Sequence, residues 1–139
     1  MKDKKSKKKI IDTYECLYPV ELVVANGFVT LEDLQKLYTY VDKSELSGEI
    51  IDESSNATTT PVIRKSDDKA CILVKYINNT CSKKMDKKVN LISTISHEAG
   101  HVTLDIYEYI NQHVCNCSPE PFCYLLGWAT ECIYKTLNK

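Results

Sequence analysis

An α+β domain is the expectation for this chain: a small antiparallel sheet, one long helix, and a C-terminal helix that closes the domain over it. Three observations lead there. Alternating or continuous β-prone runs occupy the first half of the chain, a single apolar stripe with helical spacing runs from Ile92 to Ile110, and a second begins at Phe122. With 139 residues and 43% hydrophobic content, the chain can bury one core but not two, so residues 10–139 read as a single domain.

Residues 1–9 stand apart. Met1 to Lys9 holds six lysines against Asp3, leaving about −6 on the remainder, 12 basic against 18 acidic residues. Such a run reads as a disordered, solubilising tail rather than a nucleic-acid-binding arm. It is no signal peptide, because only Ile10 and Ile11 follow the lysines before Asp12. No stretch has the length of a transmembrane helix, and no membrane contact is expected.

Ile10 to Ala25 is β-prone, interrupted by Pro19 and closed by the turn pair Asn26-Gly27. Thr30-Leu31-Glu32-Asp33 then opens a helix, with Leu31, Leu34, Leu37 and Val41 on one side. Residues 42–60 are polar, acidic and rich in Ser and Thr, the composition of a mobile surface loop. Pro61-Val62-Ile63-Arg64 and Ala70 to Ile77 flank Ser66-Asp67-Asp68 in the pattern of a β-hairpin.

The long helix follows, with Ile92, Ile95, Ala99, Val102, Ile106 and Ile110 as its buried stripe and Asp86 or Asn90 as N-caps. On its opposite side lie Thr94, Asp105, Glu108 and Gln112, together with the pentad His97-Glu98-Ala99-Gly100-His101. Two histidines four residues apart share one helix face and can hold a single Zn²⁺ from one rigid element. Glu98 then lies beside the metal, placed to take a proton from a water. The plain alternative is a surface helix whose solvated side happens to carry two histidines.

Zinc asks for a third protein ligand. Ser118-Pro119-Glu120-Pro121 reads as a helix start with a serine N-cap, followed by apolar Phe122, Leu125, Ala129, Ile133 and Leu137. Glu120, Tyr124, Gly127 and Glu131 share the other face, and a helix packed across the pentad's polar side would aim Glu120 at the metal. Asp105 continues the one-turn ladder from His97 through His101. Three turns of a straight helix splay apart, so it reads as a carboxylate holding a ligand imidazole or as a surface charge. Glu131 is a rival to Glu120 and otherwise a solvated acid.

The pentad with a glutamate on a later helix resembles the zincin metallopeptidases, in particular their glutamate-liganded, gluzincin-like branch, and is similar to small zincin-like proteins of phages and mobile elements. The matching residues are His97, Glu98, His101 and Glu120, the last standing 19 positions after the second histidine, and they cover about the last third of the chain. The resemblance implies His97, His101 and Glu120 as zinc ligands, Glu98 as general base, and hydrolysis of a protein or peptide by a zinc-activated water. It implies a minimal zincin-like domain in which an edge strand lining the cleft binds an extended peptide, a part open to Ala70 to Ile77 as much as an ordinary core strand. The chain departs from the pattern in lacking an asparagine-glutamate pair at the third-ligand position, a third histidine downstream, and an assignable oxyanion-stabilising residue. Tyr107 and Tyr124 are the candidates for that last role. So small a domain would hold substrate shallowly or need a protein partner to complete its cleft. The reading from a different class is a non-catalytic, zincin-like binding or regulatory protein whose zinc is structural.

Seven cysteines, an odd number without an export signal, point to reduced thiols and a cytoplasmic location. His113, Cys115, Cys117 and Cys123 between the last two helices read as incidental thiols, as a second metal site, or as a disulfide.

Overall fold

A computed structural model describes residues 8–77 and 84–139, with backbone alone for residues 84–86. Its centre is a five-stranded mixed sheet of order β1-β2-β5-β4-β3, comprising β1 (Ile11–Glu15), β2 (Glu21–Ala25), β3 (Tyr38–Tyr40), β4 (Ala57–Arg64) and β5 (Ala70–Tyr76). Helix α1 (Leu31–Gln35) follows β2, while α2 (Lys84–Tyr109) and α3 (Glu120–Leu137) follow the sheet. The architecture is α+β, as expected. The sheet is not purely antiparallel, because β2 and β5 pair in parallel, Glu21 opposite Cys71 through Ala25 opposite Lys75.

That pairing makes β5 the middle strand, bonded to β2 on one side and antiparallel to β4 on the other. Of the two readings of Ala70 to Ile77, a cleft-lining edge strand and an ordinary core strand, the pairing shows the second. The near-continuous apolar run Cys71-Ile72-Leu73-Val74 is what a strand covered on both faces requires. Its side chains alternate between two cores. Ile72 and Val74 join Leu22, Val24, Ile95, Ala99, Val102, Ile106, Ala129 and Ile133 beneath α2 and α3, while Cys71 and Leu73 join Val23, Leu34, Leu46, Ile50 and Val62 beneath α1.

Thr30 caps α1 with a reciprocal capping box: its hydroxyl accepts from the Asp33 N–H, and Asp33 accepts from the Thr30 N–H. The helix is shorter than its apolar spacing suggests. It stops at Gln35, Tyr38–Tyr40 turns into strand β3, and Leu37 and Val41 are exposed. β-Branched and aromatic residues at 38–41 favour strand over a further helical turn once a partner strand is at hand.

Residues 42–60 are also corrected. Leu46 and Ile50 are buried, a 3₁₀ turn spans Gly48–Ile51, and Ala57–Thr60 belong to β4. Asp52 organises the intervening turn, accepting from both the N–H and the hydroxyl of Ser54. At the N-terminal end, Lys9 pairs with Asp33 at 2.9 Å and the Lys8 carbonyl accepts from Asn26, so the two last residues of the lysine run are docked. Met1 to Lys7 and Cys81 lie outside the described residues.

On α2, Ile95, Ala99, Val102 and Ile106 are buried as expected, whereas Ile92 is 67% exposed. Asp86 and Asn90 lie inside the helix rather than at its start. Asn90 instead accepts a hydrogen bond from the Asn56 amide at 3.0 Å. Helix α3 begins one residue later than expected, with Pro119 rather than Ser118 at the N-cap and Pro121 in the first turn. Its far end is tied to β1: the Thr136 hydroxyl donates to Asp12, Tyr14 bonds Thr136 at 2.7 Å, and Lys139 pairs with Asp12.

Among the described residues Lys75 is the one buried lysine, 3% exposed, its ammonium donating to the carbonyls of Asn26 and Tyr76. Burial pushes its pKa down from 10.5 to about 8. The unfolded chain then holds the extra proton between those two values, so this residue's contribution to stability rises with pH across that window. We expect urea unfolding at pH 8 and pH 10 to show wild type gaining stability relative to Lys75→Met as the pH increases. A gap that stays constant would mean the ammonium is charged and fully compensated where it sits.

Candidate functional site

The pentad occupies the middle of α2, where the helix turns Ala99 and Val102 into the core and presents His97 and His101 outward. A four-residue spacing stacks the two imidazoles one turn apart. Their Nε2 atoms come within 3.1 Å, with ring centroids 4.7 Å apart and planes inclined at 71°. The same nitrogen of each ring is thus brought into hydrogen-bond contact with the other. Two nitrogens bound to one tetrahedral zinc at ~2.0–2.1 Å would lie about 3.3 Å apart, so the pair has the spacing such an ion needs.

Glu98 follows a different course from its neighbours. It is 5% exposed, wedged between α2 and the first half of β4, and its Oε2 accepts a hydrogen bond from the Thr59 hydroxyl. Thr59 can reach it because strand alternation sends residues 57, 59 and 61 toward α2. Thr58 and Val62 point the other way, Thr58 to the Ile50 carbonyl and Val62 into the α1-side core. A buried carboxylate needs such a partner, and the described residues contain no buried side-chain polar atom without one.

The same half of β4 is an open sheet edge. β3 pairs only with Val62–Arg64. The bonds from Ile77 N–H to the Asn56 carbonyl and from Arg64 N–H to the Lys69 carbonyl show that even-numbered residues of β4 face β5. Ala57 and Thr59 therefore direct their N–H and C=O groups away from β5, where no described strand pairs with them. This edge lies beside Glu98.

The remaining expected residues fall as follows. Glu120 is exposed in the first turn of α3. Helix α3 packs on the apolar stripe of α2, with Phe122 edge-on to Tyr107 at 5.5 Å, rather than across the histidine face. Among the described residues no group of three or more His, Cys, Asp or Glu side chains is gathered as a metal-binding set. The structure thus brings His97 and His101 together without adding Glu120 to them. Asp105 is half-buried one turn beyond His101; desolvation raises its pKa, with the nearby His101 acting against that rise. Glu131 forms an exposed ion pair with Lys135 at 2.7 Å.

Neither tyrosine candidate stands at the pentad. Tyr107 is buried in the core, and Tyr124 lines an apolar groove with Leu17 and Trp128. Cys115 and Cys117 are joined as a disulfide, which corrects the expectation of reduced thiols at that pair, while Cys16, Cys71, Cys123 and Cys132 are free. His113 is exposed beside them and joins no metal-binding group among the described residues. No described helix is long and apolar enough to cross a membrane.

Two contributors escaped sequence reading, Thr59 and the polar turn at residues 54–56. The run Thr58-Thr59-Thr60 is β-branched, and that signal favours a strand over a loop. No family model matches the chain, and no curated protein or solved structure matches it.

Thr59→Val removes the donor from a buried carboxylate and should lower stability by about 1–3 kcal/mol, with Thr59→Ser costing much less. Paired urea denaturation curves at neutral pH measure the difference. Equal losses in the two variants would show that packing at residue 59, and not its hydroxyl, matters.

Proposed function

We propose that this chain is a zincin-like, zinc-dependent metallopeptidase that cleaves a protein or peptide. The observation that carries the reading is the convergence of the His97 and His101 Nε2 atoms beside a buried, hydroxyl-anchored Glu98. His97 and His101 would hold the ion, with Glu120 as the proposed third ligand. Zinc, when bound, supplies a water acidified toward neutrality and polarises the scissile carbonyl.

This chain's own residues do the rest. Thr59 fixes one oxygen of the Glu98 carboxylate, leaving the other to accept the proton of the attacking water and pass it to the leaving amine. The N–H and C=O groups of Ala57 and Thr59 that no described strand pairs with would hold an extended substrate by strand addition, the part that Ala70 to Ile77 was one candidate for. A domain this small supplies little further wall, so a protein partner completing the cleft belongs to the proposal.

One observation favours the second reading, a zincin-like binding or regulatory protein with a structural metal: the described residues do not gather a third ligand with the histidine pair. Glu98→Gln separates the two. For a peptidase it should retain about one zinc per chain by elemental analysis while kcat falls by about 10²–10⁴-fold. His101→Ala should lose the metal, and Glu120→Ala should weaken its retention on dialysis. Zinc content indifferent to all three substitutions would remove the basis for the reading, and zinc retained with no Glu98-dependent hydrolysis would favour the binding protein.

A further inference from the structure

We propose that the cleft beside His97 is a substrate subsite that selects an uncharged, hydrogen-bonding side chain, hydroxyl or amide, next to the scissile bond. The inference rests on the peptidase reading and names the substrate class that this site takes.

A cavity of about 300 Å³ opens between the turn before β4 and the helix turn preceding the pentad, and His97 and Glu98 form part of its wall. Ser54 and Asn56 line it from the turn, Ser93 and Thr94 from α2, and Ala57 is the only apolar residue among the described residues that line it. Three or four residues before His97 on a helix is the same face one turn back, so Ser93 and Thr94 adjoin the histidine directly. Ala57 belongs to the open edge of β4. A peptide paired with that edge would send every second side chain toward α2, and one of them would enter this cavity.

The wall is built, not incidental. Asp52 accepts from both the N–H and the hydroxyl of Ser54, the Ser55 N–H donates to the Asp52 carbonyl, and the Asn56 carbonyl accepts from the Ile77 N–H. The Asn56 amide donates to Asn90 across the gap to α2. The turn is thereby fastened to both the sheet and the helix, which keeps the cavity open before any ligand arrives.

Charge and hydrogen bonding set the class of occupant. Among the described residues Glu98 is the sole carboxylate in the lining, and no described lysine or arginine contributes to it. An acidic side chain would be repelled by that carboxylate and would compete with the scissile carbonyl for the proposed metal, and a basic one would be repelled by that metal. A large apolar side chain would cover hydroxyl groups and deprive them of water. Ser, Thr, Asn and Gln are the residues that fit without those penalties, and a site built to hydrogen-bond its substrate discriminates strongly against analogues that cannot.

The test uses the full chain loaded with zinc and a pool of tryptic peptides from an unrelated proteome, with new termini mapped by mass spectrometry. The same pool is passed over immobilised Glu98→Gln, and the captured peptides are sequenced, which gives a binding readout besides turnover. The expected result is enrichment of Ser, Thr, Asn and Gln at one fixed position beside the cut and in the captured set, by about ten-fold over Leu and Phe. Ser93→Leu, at an exposed helix position, should shift that one position toward apolar residues while cleavage continues. Thr94→Val provides the same contrast by replacing a hydroxyl with a methyl on a β-branched side chain of similar shape. Cleavage that requires His97 but shows no polar preference, or a preference untouched by both variants, overturns the subsite alone. A peptide pattern identical for wild type and His97→Ala overturns the peptidase reading and the subsite with it.

Discussion

Everything in this fold depends on β5 being hydrogen-bonded along both edges and covered on both faces. A strand with no exposed side must be apolar at consecutive positions, and Cys71-Ile72-Leu73-Val74 meets that demand by sending alternate side chains into two separate cores. Fully burying one such side chain is worth roughly 1.5–3 kcal/mol. The two cores therefore share one backbone, and neither α1 below nor α2 and α3 above would have a floor without it. The parallel pairing with β2 is what brings β5 to the middle, and it places α1, β3 and β4 in the connection between the two strands.

From that floor the geometry of the pentad follows. Helix α2 lies on the sheet with Ala99 and Val102 inward, and a small residue at 99 keeps the helix close to the strands. Closeness is what lets a threonine on β4 reach the carboxylate next in line to His97. The histidines, rotated away from the sheet, stay accessible and face each other. One helix thus carries a rigid, partnered acid and two outward imidazoles within five residues, a division of burial that a looser helix would not maintain.

Features set by short-range chemistry were legible in the sequence. Thr30 and Asp33 announce the capping box, Ser66-Asp67-Asp68 the hairpin, and Ile95, Ala99, Val102 and Ile106 the buried helix stripe. What long-range pairing decides was not. The parallel partnership of β2 and β5 has no local signature, and the strand Tyr38–Tyr40 shares its apolar spacing with a continuing helix. The Ser- and Thr-rich segment before Pro61 looked like loop because composition outweighed the β-branched run within it. At the site, the histidine pair and Glu98 were visible from spacing alone. Thr59 was not, since its role comes from a contact 39 residues away in sequence. Thr94, 6% exposed, was placed on the polar face with the histidines, and its burial was not foreseen because a helical wheel does not show how far a neighbouring element overlaps it.

The short reach of β3 has one more effect. An unpaired strand edge is ordinarily a template on which identical chains can stack without limit. Here the exposed length ends at Pro61, which has no N–H to offer, and the next residues are already taken by β3. Only a few residues of any incoming chain can therefore be zipped on before the ladder runs out. One proline and a three-residue strand together thus limit how far along β4 any incoming chain could pair.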